Sequence, residues 1–310
     1  MADQVIFWLL QGDPAIRWQT LRDLLDSDDA VVDRERALVA RRGWGRRLLE
    51  CRSPEGGWGG LYTPKWTSTT YTLLLLRAMG LPSKNQAASQ GARVLLDRGL
   101  YGDDGINFWA PRRRCSETCV TGMVLAIAAR FLPADGRIEN LVEHLLAEQM
   151  PDGGWNCQRY RGASHSSLHT TISVLEALLE YEAGGGRQAR STREARERAH
   201  EFLYVHRMYC SHRTGSVIDP RMTRFWFPPQ WHYDVLRGLD YLAMAKAAPD
   251  RRAFPAIELL RHRRTADGTW PLQSVYKGHY HFAMEKSGEP SRWNTLRALR
   301  VLRWWDDADR

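Results

Sequence analysis

Two segments of the sequence each place a pair of soft metal ligands four residues apart. Cys115 and Cys119 stand at the start of one apolar helical pattern, and His165 and His169 at the start of another. Because residues i and i+4 share one face of a helix, each helix would present its pair in a single direction. All four could close a structural Cys₂His₂ zinc site, or a set of three could hold zinc with one open position. Taken singly, each is also an ordinary core residue.

Other side chains at the starts of neighbouring helical patterns could do chemistry. His232 and Asp234 could complete a metal shell, act as acid and base, or cap a helix. The segment 279–286 could be a lid over a cavity mouth. Aromatic rings near these positions could line a cavity for an apolar or cationic guest. The residues predicted to face that pocket are Trp66, Trp109, Cys115, His165, Trp231, Tyr233 and Arg292.

Composition describes an ordinary globular protein with an excess of arginine. The chain has 310 residues, 43% hydrophobic and 26% charged, which excludes a disordered or fibrous protein. The net charge is +8, and 39 arginines stand against 5 lysines along the chain. Two interpretations stay open: a compositional bias on solvated helix faces, or a phosphate-bearing ligand. A nucleic-acid partner is not expected, since no binding motif accompanies the charge.

The sequence shows no signal for export or membrane insertion. An apolar run near its start, residues 5–10, follows Asp3 and is too short for a signal peptide or a spanning helix. The five cysteines form no secreted-domain pattern. We therefore expect a cytoplasmic protein without stable membrane insertion.

A repeated loop type organises the whole chain. Loops that combine an acidic residue, glycine and an aromatic residue recur at 53–60, 102–109, 151–157 and 266–271. Each precedes an apolar helical pattern. More polar helical patterns lie between the apolar ones, at about 31–51, 86–98, 137–149, 191–208 and 251–264. Six apolar helices alternating with six amphipathic ones predict an all-α fold of about twelve helices in two concentric rings, in one domain spanning 1–310. The matching segments 13–25 and 289–299 would be neighbours where the ring closes, and Arg292 could serve that closure.

The repeats carry a resemblance to a known superfamily. The segment 149–155 reads Gln-Met-Pro-Asp-Gly-Gly-Trp. It resembles the Gln-x-x-Asp-Gly-Gly-Trp repeats of the terpenoid cyclases and protein prenyltransferase β-subunits. The resemblance covers nearly the whole chain and implies an α/α toroid with a central lumen.

Within that superfamily the squalene-type cyclases match poorly. Their reaction starts at the first Asp of an Asp-x-Asp-Asp motif, and neither Asp103-Asp104 nor Asp306-Asp307 has that pattern. Those cyclases also contain a second helical domain, for which this chain is too short.

The prenyltransferase β-subunits carry zinc on Asp-x-Cys at one inner helix and His at the next. Glu117 and Cys119 resemble Asp-x-Cys, with glutamate in place of aspartate, and His169 resembles the histidine. In that family zinc lowers the pKa of a substrate thiol, which attacks a prenyl diphosphate. Arg114 matches a lysine position that helps to hold diphosphate. The resemblance thus implies zinc on Glu117, Cys119 and His169, anion binding by Arg112, Arg113 and Arg114, and no recognisable α-subunit in this chain.

Three functional hypotheses follow. The favoured one is a prenyltransferase- or terpene cyclase-like protein with zinc at the mouth of an aromatic-lined lumen. It would act on an isoprenoid or other apolar ligand, with a diphosphate as one form, and His232 or Asp234 would transfer a proton. The second is a non-catalytic toroid that binds a lipid or a peptide. The third is an interaction protein with a structural zinc.

Overall fold

The protein, described for residues 2–307 by a computed structural model, is almost entirely helical. Two short strands, β1 (Trp270–Pro271) and β2 (Pro290–Ser291), pair antiparallel. Within residues 2–307 no helix combines the length and hydropathy needed to cross a membrane. The α-helices are α1 (Ala2–Leu10), α2 (Pro14–Asp23), α3 (Asp29–Ala37), α4 (Gly43–Glu50), α5 (Thr69–Ala78), α6 (Gln86–Gly99), α7 (Thr118–Phe131), α8 (Arg137–Ala147), α9 (Leu168–Ala183), α10 (Ala189–Val205), α11 (Val235–Met244), α12 (Phe254–His262) and α13 (Arg292–Asp307).

Six helices form an inner ring. Contacts run from α5 through α7, α9 and α11 to α13, and from α13 on to α2. The indole of Trp18 in α2 closes the ring by donating to the main-chain oxygen of Met79 after α5, at 2.8 Å. The other helices pack outside: α1 and α3 on α2, α4 on α2 and α5, α6 on α5 and α7, α8 on α7, α10 on α9, and α12 on α11. The predicted all-α toroid of two concentric rings is therefore confirmed.

The repeated loops tie the two rings together through one pattern of hydrogen bonds. In three loops an indole N–H donates to a main-chain oxygen of the preceding outer helix, from Trp58 to Leu48, Trp155 to Leu145 and Trp270 to Leu260. The main-chain N–H of the same tryptophan donates to a threonine hydroxyl of the next inner helix, namely Thr69, Thr171 and Thr295. These fully buried tryptophans satisfy polar groups at the helix ends. The repeated loop thus has a structural role, because it joins an outer helix to the next inner helix.

One predicted helix is wrong. The pattern predicts a single amphipathic helix over 31–51, but the chain breaks there into α3, a 3₁₀ turn and α4. Gly43 has φ +64°, and a Cβ at this position would lie 1.9 Å from Oδ2 of Asp13. That oxygen accepts the main-chain N–H of Trp44 at 2.7 Å. The tertiary contact with Asp13 therefore needs the glycine and ends the helix.

Candidate functional site

The inner ring has two chemically different ends. Side chains at or before the starts of α5, α7, α9 and α11 meet at one end, here called the amino end. Side chains near the carboxyl-terminal turns of α5, α7 and α9, with parts of α11 and α13, meet at the other, here called the carboxyl end. The predicted metal ligands Glu117, Cys119 and His169 all belong to the amino end.

Aromatic rings fill the amino end. Trp226 stacks on Tyr276 with ring centroids 4.1 Å apart, Tyr276 on His232 at 3.8 Å, and His232 on Trp231 at 3.7 Å. Trp66 meets the edge of this stack at His232, 6.3 Å away. Four stacked rings leave little space between them, so this part of the lumen is packed.

A loop covers the amino end. The main-chain N–H of Trp66 donates to the main-chain oxygen of His279 at 2.9 Å, and its indole N–H donates to the main-chain oxygen of Lys277 at 3.0 Å. His281 shares a hydrogen bond of 3.0 Å with the hydroxyl of Thr72 in α5. The segment predicted as a lid therefore lies over the aromatic rings and is anchored to α5 and the loop before it.

The three predicted zinc ligands each take a different partner. Glu117 forms an ion pair with Arg113, and the thiol of Cys119 is hydrogen-bonded to Cys157. Nδ1 of His169 accepts the main-chain N–H of Tyr233 at 2.7 Å. Among residues 2–307 no three His, Cys, Asp or Glu side chains lie close enough together to share a metal ion. This arrangement does not supply the ligand set that zinc needs, and zinc stays a prediction from the sequence.

The two thiols differ in acidity. The hydrogen bond from Cys119, helped by Thr170, Gln158 and nearby Arg113, lowers the pKa of Cys157 to about 6. The same bond, together with burial, raises the pKa of the Cys119 thiol well above its ordinary value.

Burial sets the protonation of the predicted proton-transfer residues. It lowers the pKa of His232 to about 3, with His169 contributing, and the pKa of His169 to about 4, with Arg237 contributing. Both imidazoles are neutral at pH 7. Burial raises the pKa of Asp234 to about 6. Oδ1 of Asp234 caps α11 by accepting the N–H of Arg237 at 2.9 Å, whereas its buried Oδ2 has no partner among the described residues.

The three predicted anion-binding arginines lie together. Arg112, Arg113 and Arg114 line a surface groove of about 530 Å³ beside the amino end. The guanidinium of Arg113 lies 4.2 Å from the ring centroid of Tyr160. The groove is completed by Trp109, Cys115, Glu117, Tyr160 and Arg161. Four guanidinium groups against one carboxylate give the groove a surplus of positive charge.

Several residues predicted for the substrate pocket have structural partners. The buried hydroxyl of Tyr233 donates to the main-chain oxygen of Met208 at 2.6 Å. Arg292 donates to the main-chain oxygen of Trp8 and lies over its ring at 4.3 Å, which joins α13 to α1. His165 is exposed, and its main-chain oxygen accepts a bond from Asn156. These three side chains lie outside the central cavity described next.

A cavity of about 430 Å³ occupies the centre of the ring towards the carboxyl end. Tyr71 and the segment 227–230 bound it on the side of the amino end. Apolar walls come from Leu74, Leu75, Leu179, Phe227, Pro228 and Met244.

Charged side chains form a second large part of the cavity wall. Its arginines are Arg22, Arg36, Arg77, Arg130, Arg237, Arg297 and Arg300. Ion pairs link most of them to carboxylates, including Arg237 to Glu176 at 2.7 Å, Arg77 to Glu180 at 2.9 Å and Arg300 to Asp240 at 2.6 Å. Although burial alone would raise the pKa of Glu176, Arg237 and Arg77 hold it below its usual value. The arginines outnumber Glu176, Glu180, Asp240 and Asp23, the carboxylates of this network.

Sequence reasoning did not identify the cavity arginines. One signal was available, because Arg77 and Arg237 interrupt helices whose other residues are mostly apolar. A charged residue on a buried helix is rare without a partner or a function. The partners come from other helices, however, so the pattern along one helix could not reveal them.

Comparison with known proteins gives a similarity of fold only. No family model and no curated protein matches the chain. Two matched solved structures are of the type II terpene cyclase MstE from Scytonema, one of a variant with its substrate geranylgeranyl dihydroxybenzoate and one of the apo enzyme. Both are 14% identical in sequence and cover 85% of this chain, and they are covered over 94% and 96% of their own lengths. The TM-scores are 0.33 and 0.34, so they do not bear on activity.

Proposed function

We propose that this protein binds an apolar molecule with an anionic group, such as an isoprenoid diphosphate, in its central cavity. The ligand enters from the carboxyl end of the inner ring. The observation that carries the proposal is the composition of the cavity wall, which joins an apolar face to a surplus of arginine.

The size and apolar walls of the cavity support the first half of the proposal. Its volume of about 430 Å³ is typical of small-molecule sites. Leu74, Leu179 and Phe227 offer an apolar surface to a hydrocarbon chain. The stacked rings at the amino end close that side, so the head group of a bound ligand would stay near the carboxyl end.

The charges of the cavity wall support the second half of the proposal, the binding of an anionic group. Arg36 lines the cavity, and its partners among the described residues are neutral: the main-chain oxygen of Gly80 at 2.9 Å and the ring of Trp18. Arg130 is weakly paired, 3.8 Å from Glu180. Guanidinium groups without a close carboxylate can take phosphate oxygens in a bidentate manner.

Equilibrium binding tests the proposal. Farnesyl diphosphate and farnesol are titrated into the protein by calorimetry, and the diphosphate should bind more tightly. Arg36→Met and Arg130→Met should each weaken diphosphate binding about tenfold or more, because each removes a charge-assisted contact, and should leave farnesol binding unchanged.

Two controls locate the site. Arg193→Met changes an exposed arginine on α10 and should have no effect. The double variant Arg112→Ala with Arg114→Ala removes charge from the surface groove and should also leave binding intact. Equal affinity for the alcohol and the diphosphate would indicate a simple apolar binder. Loss of binding in the groove variant alone would place the ligand in the groove and reject the cavity.

A further inference from the structure

Two histidines that line neither the central cavity nor the arginine groove meet at the end of the outer helix α10. His206 follows the last residue of α10, and His212 lies in the loop after it. Nδ1 of His212 lies 3.0 Å from Nε2 of His206, and the two ring planes are 80° apart. Each imidazole therefore offers one nitrogen to the same small space.

Hydrogen bonds decide which nitrogen of His206 has a free lone pair. Nδ1 lies 2.8 Å from the main-chain oxygen of Phe202, and a carbonyl oxygen only accepts, so Nδ1 carries the hydrogen. Burial lowers the pKa of His206, although the bond to Phe202 opposes this, so the ring is neutral at pH 7 and Nε2 keeps its lone pair. Metal-binding histidines commonly donate their other nitrogen to a main-chain carbonyl in this way.

The loop that carries His212 is folded back on itself. The main-chain N–H of Ser211 donates to the main-chain oxygen of Ser216 at 2.8 Å. The main-chain N–H of Cys210 donates to the main-chain oxygen of His206 at 2.7 Å and so joins the base of the loop to α10. The side chain of His212 is exposed, so its ring can tilt and an ion can reach it from solvent.

The surroundings of the two rings favour a cation. The last carbonyl groups of α10 place the negative end of the helix dipole beside His206. The carboxylate of Asp152 also favours positive charge at this position. Arg207 and Arg213 stand next to the two histidines in the sequence, but both are exposed, so salt and water screen their opposing charges.

The distance between the two nitrogens indicates the kind of ion. A bond from a first-row divalent ion to an imidazole nitrogen is about 2.0–2.1 Å long. Two nitrogens 3.0 Å apart then subtend an angle of about 91–97° at the ion. This angle is close to the right angle between neighbouring ligands of an octahedral or tetragonal ion. Tetrahedral coordination by Zn²⁺ would need a nitrogen separation of about 3.3–3.4 Å.

We propose that His206 and His212 bind a divalent transition-metal ion of octahedral or tetragonal geometry, such as Ni²⁺ or Cu²⁺, which clamps the loop 207–218 to the end of α10. Nε2 of His206 and Nδ1 of His212 are the ligand atoms. The hydrogen between them moves through solvent to Nε2 of His212, so both rings stay neutral, and the rings tilt until their lone pairs meet at the ion. Water fills the other positions, because no third His, Cys, Asp or Glu within residues 2–307 lies close enough to share the ion.

Titration calorimetry with Ni²⁺ alone tests the site. The intact protein, purified without a polyhistidine tag and stripped of metal, should bind one equivalent in a buffer that does not chelate. His212→Gln and His206→Gln should each raise the Kd about tenfold or more, because each removes one of two protein ligands. His262→Gln, at an exposed position on α12, should leave the Kd unchanged. No binding by the parent, or an unchanged Kd in His212→Gln, would overturn the proposal.

Two further measurements test the clamp and the geometry. Ni²⁺ should slow hydrogen exchange of the main-chain amides of residues 209–218 in the parent and not in His212→Gln, because the ion joins the loop to the helix. Zn²⁺ should bind more weakly than Ni²⁺, since the nitrogen spacing does not suit tetrahedral ligands. Loss of Ni²⁺ binding in Cys119→Ser, with binding kept in His212→Gln, would place the ion at the amino end and reject the histidine site.

Discussion

The two ends of the inner ring differ in how far side chains fill the central lumen. The amino end is filled by stacked rings, and its histidines are neutral because they are buried. The carboxyl end keeps a cavity of about 430 Å³ that is bordered by ion pairs. Packed rings exclude a ligand, whereas the wall of the cavity stays open because carboxylates hold most of its guanidinium groups in place.

This difference shows that reactive-looking residues and available space need not coincide. Cys119, His169 and Asp234 stand at the amino end, where sequence patterns are conspicuous. The space lies at the other end, beside residues that look like isolated charges on apolar helices. The following changes test that comparison, from the largest expected effect to the smallest.

Arg237→Met should cause the largest loss of stability. The side chain is 6% exposed and joins Glu176 to the main-chain oxygens of Gln230 and His232. Its loss leaves Glu176 short of a buried partner, which costs about 3–5 kcal/mol of unfolding free energy. Urea denaturation measures the change. The control Arg190→Met removes an exposed ion pair with little expected effect. Equal losses in both variants would contradict the buried network.

Acid should destabilise the amino end. The folded-state pKa values of His169, about 4, and His232, about 3, lie below the ordinary value of 6.5. The unfolded chain therefore binds more protons between these values, and stability falls as pH drops below 6.5. From pH 7 to 5.5 these two histidines together should lower the free energy of unfolding by about 2 kcal/mol. Unfolding curves at each pH measure it.

Variants identify the source of this pH dependence. His232→Gln should flatten the pH dependence of the unfolding free energy by about half. His262→Gln, at an exposed position, should leave it unchanged. An unaltered slope in His232→Gln would show that this imidazole is charged or accessible in the folded protein.

Asp234→Asn tests a pH dependence of stability that has the opposite sign to that of the two histidines. The folded pKa of Asp234, about 6, is raised above the ordinary value of 3.8 by burial. The folded protein binds the extra proton, so the contribution of this carboxyl to stability falls as pH rises through that window. Asparagine keeps the cap oxygen on α11 and removes the charge. From pH 5 to pH 8 the stability of the variant relative to the parent should rise by about 1–2 kcal/mol, and the difference should vanish only below the ordinary pKa of 3.8. A destabilised variant at pH 8 would contradict this account.

Cys119→Ser should have the smallest effect if the thiol serves only Cys157. Loss of one hydrogen bond costs about 1 kcal/mol, with no change in metal content. If Cys119 binds zinc, the same variant should instead lose metal and a larger part of its stability, since metal-binding energy would then be folding energy. Metal analysis of protein purified without a polyhistidine tag decides between them. About one equivalent of zinc, lost in Cys119→Ser, would support the metal site, and less than about a tenth would reject it.

The sequence predicts the architecture better than the site because the two depend on different interactions. The bonds of Trp155 to Leu145 and Thr171 lie within one repeat and recur in others, so they leave a visible period. The break at Gly43 was missed because its cause, Asp13, lies in another helix. Arg112–Arg114 were found together because they are consecutive and share one groove.

The sequence by itself determined the ring: the repeat period, the apolar inner helices and the loops that join each inner helix to an outer one. These features are local, since one repeat contains both ends of each bond. Only the tertiary structure decided where the lumen is open and which thiols and charges meet. Arg237 pairs with Glu176 from a neighbouring inner helix, and Cys119 interacts with Cys157 from the loop before the next inner helix. Such pairs depend on the rotation and depth of each helix in the ring, which the spacing of residues along one chain segment does not encode.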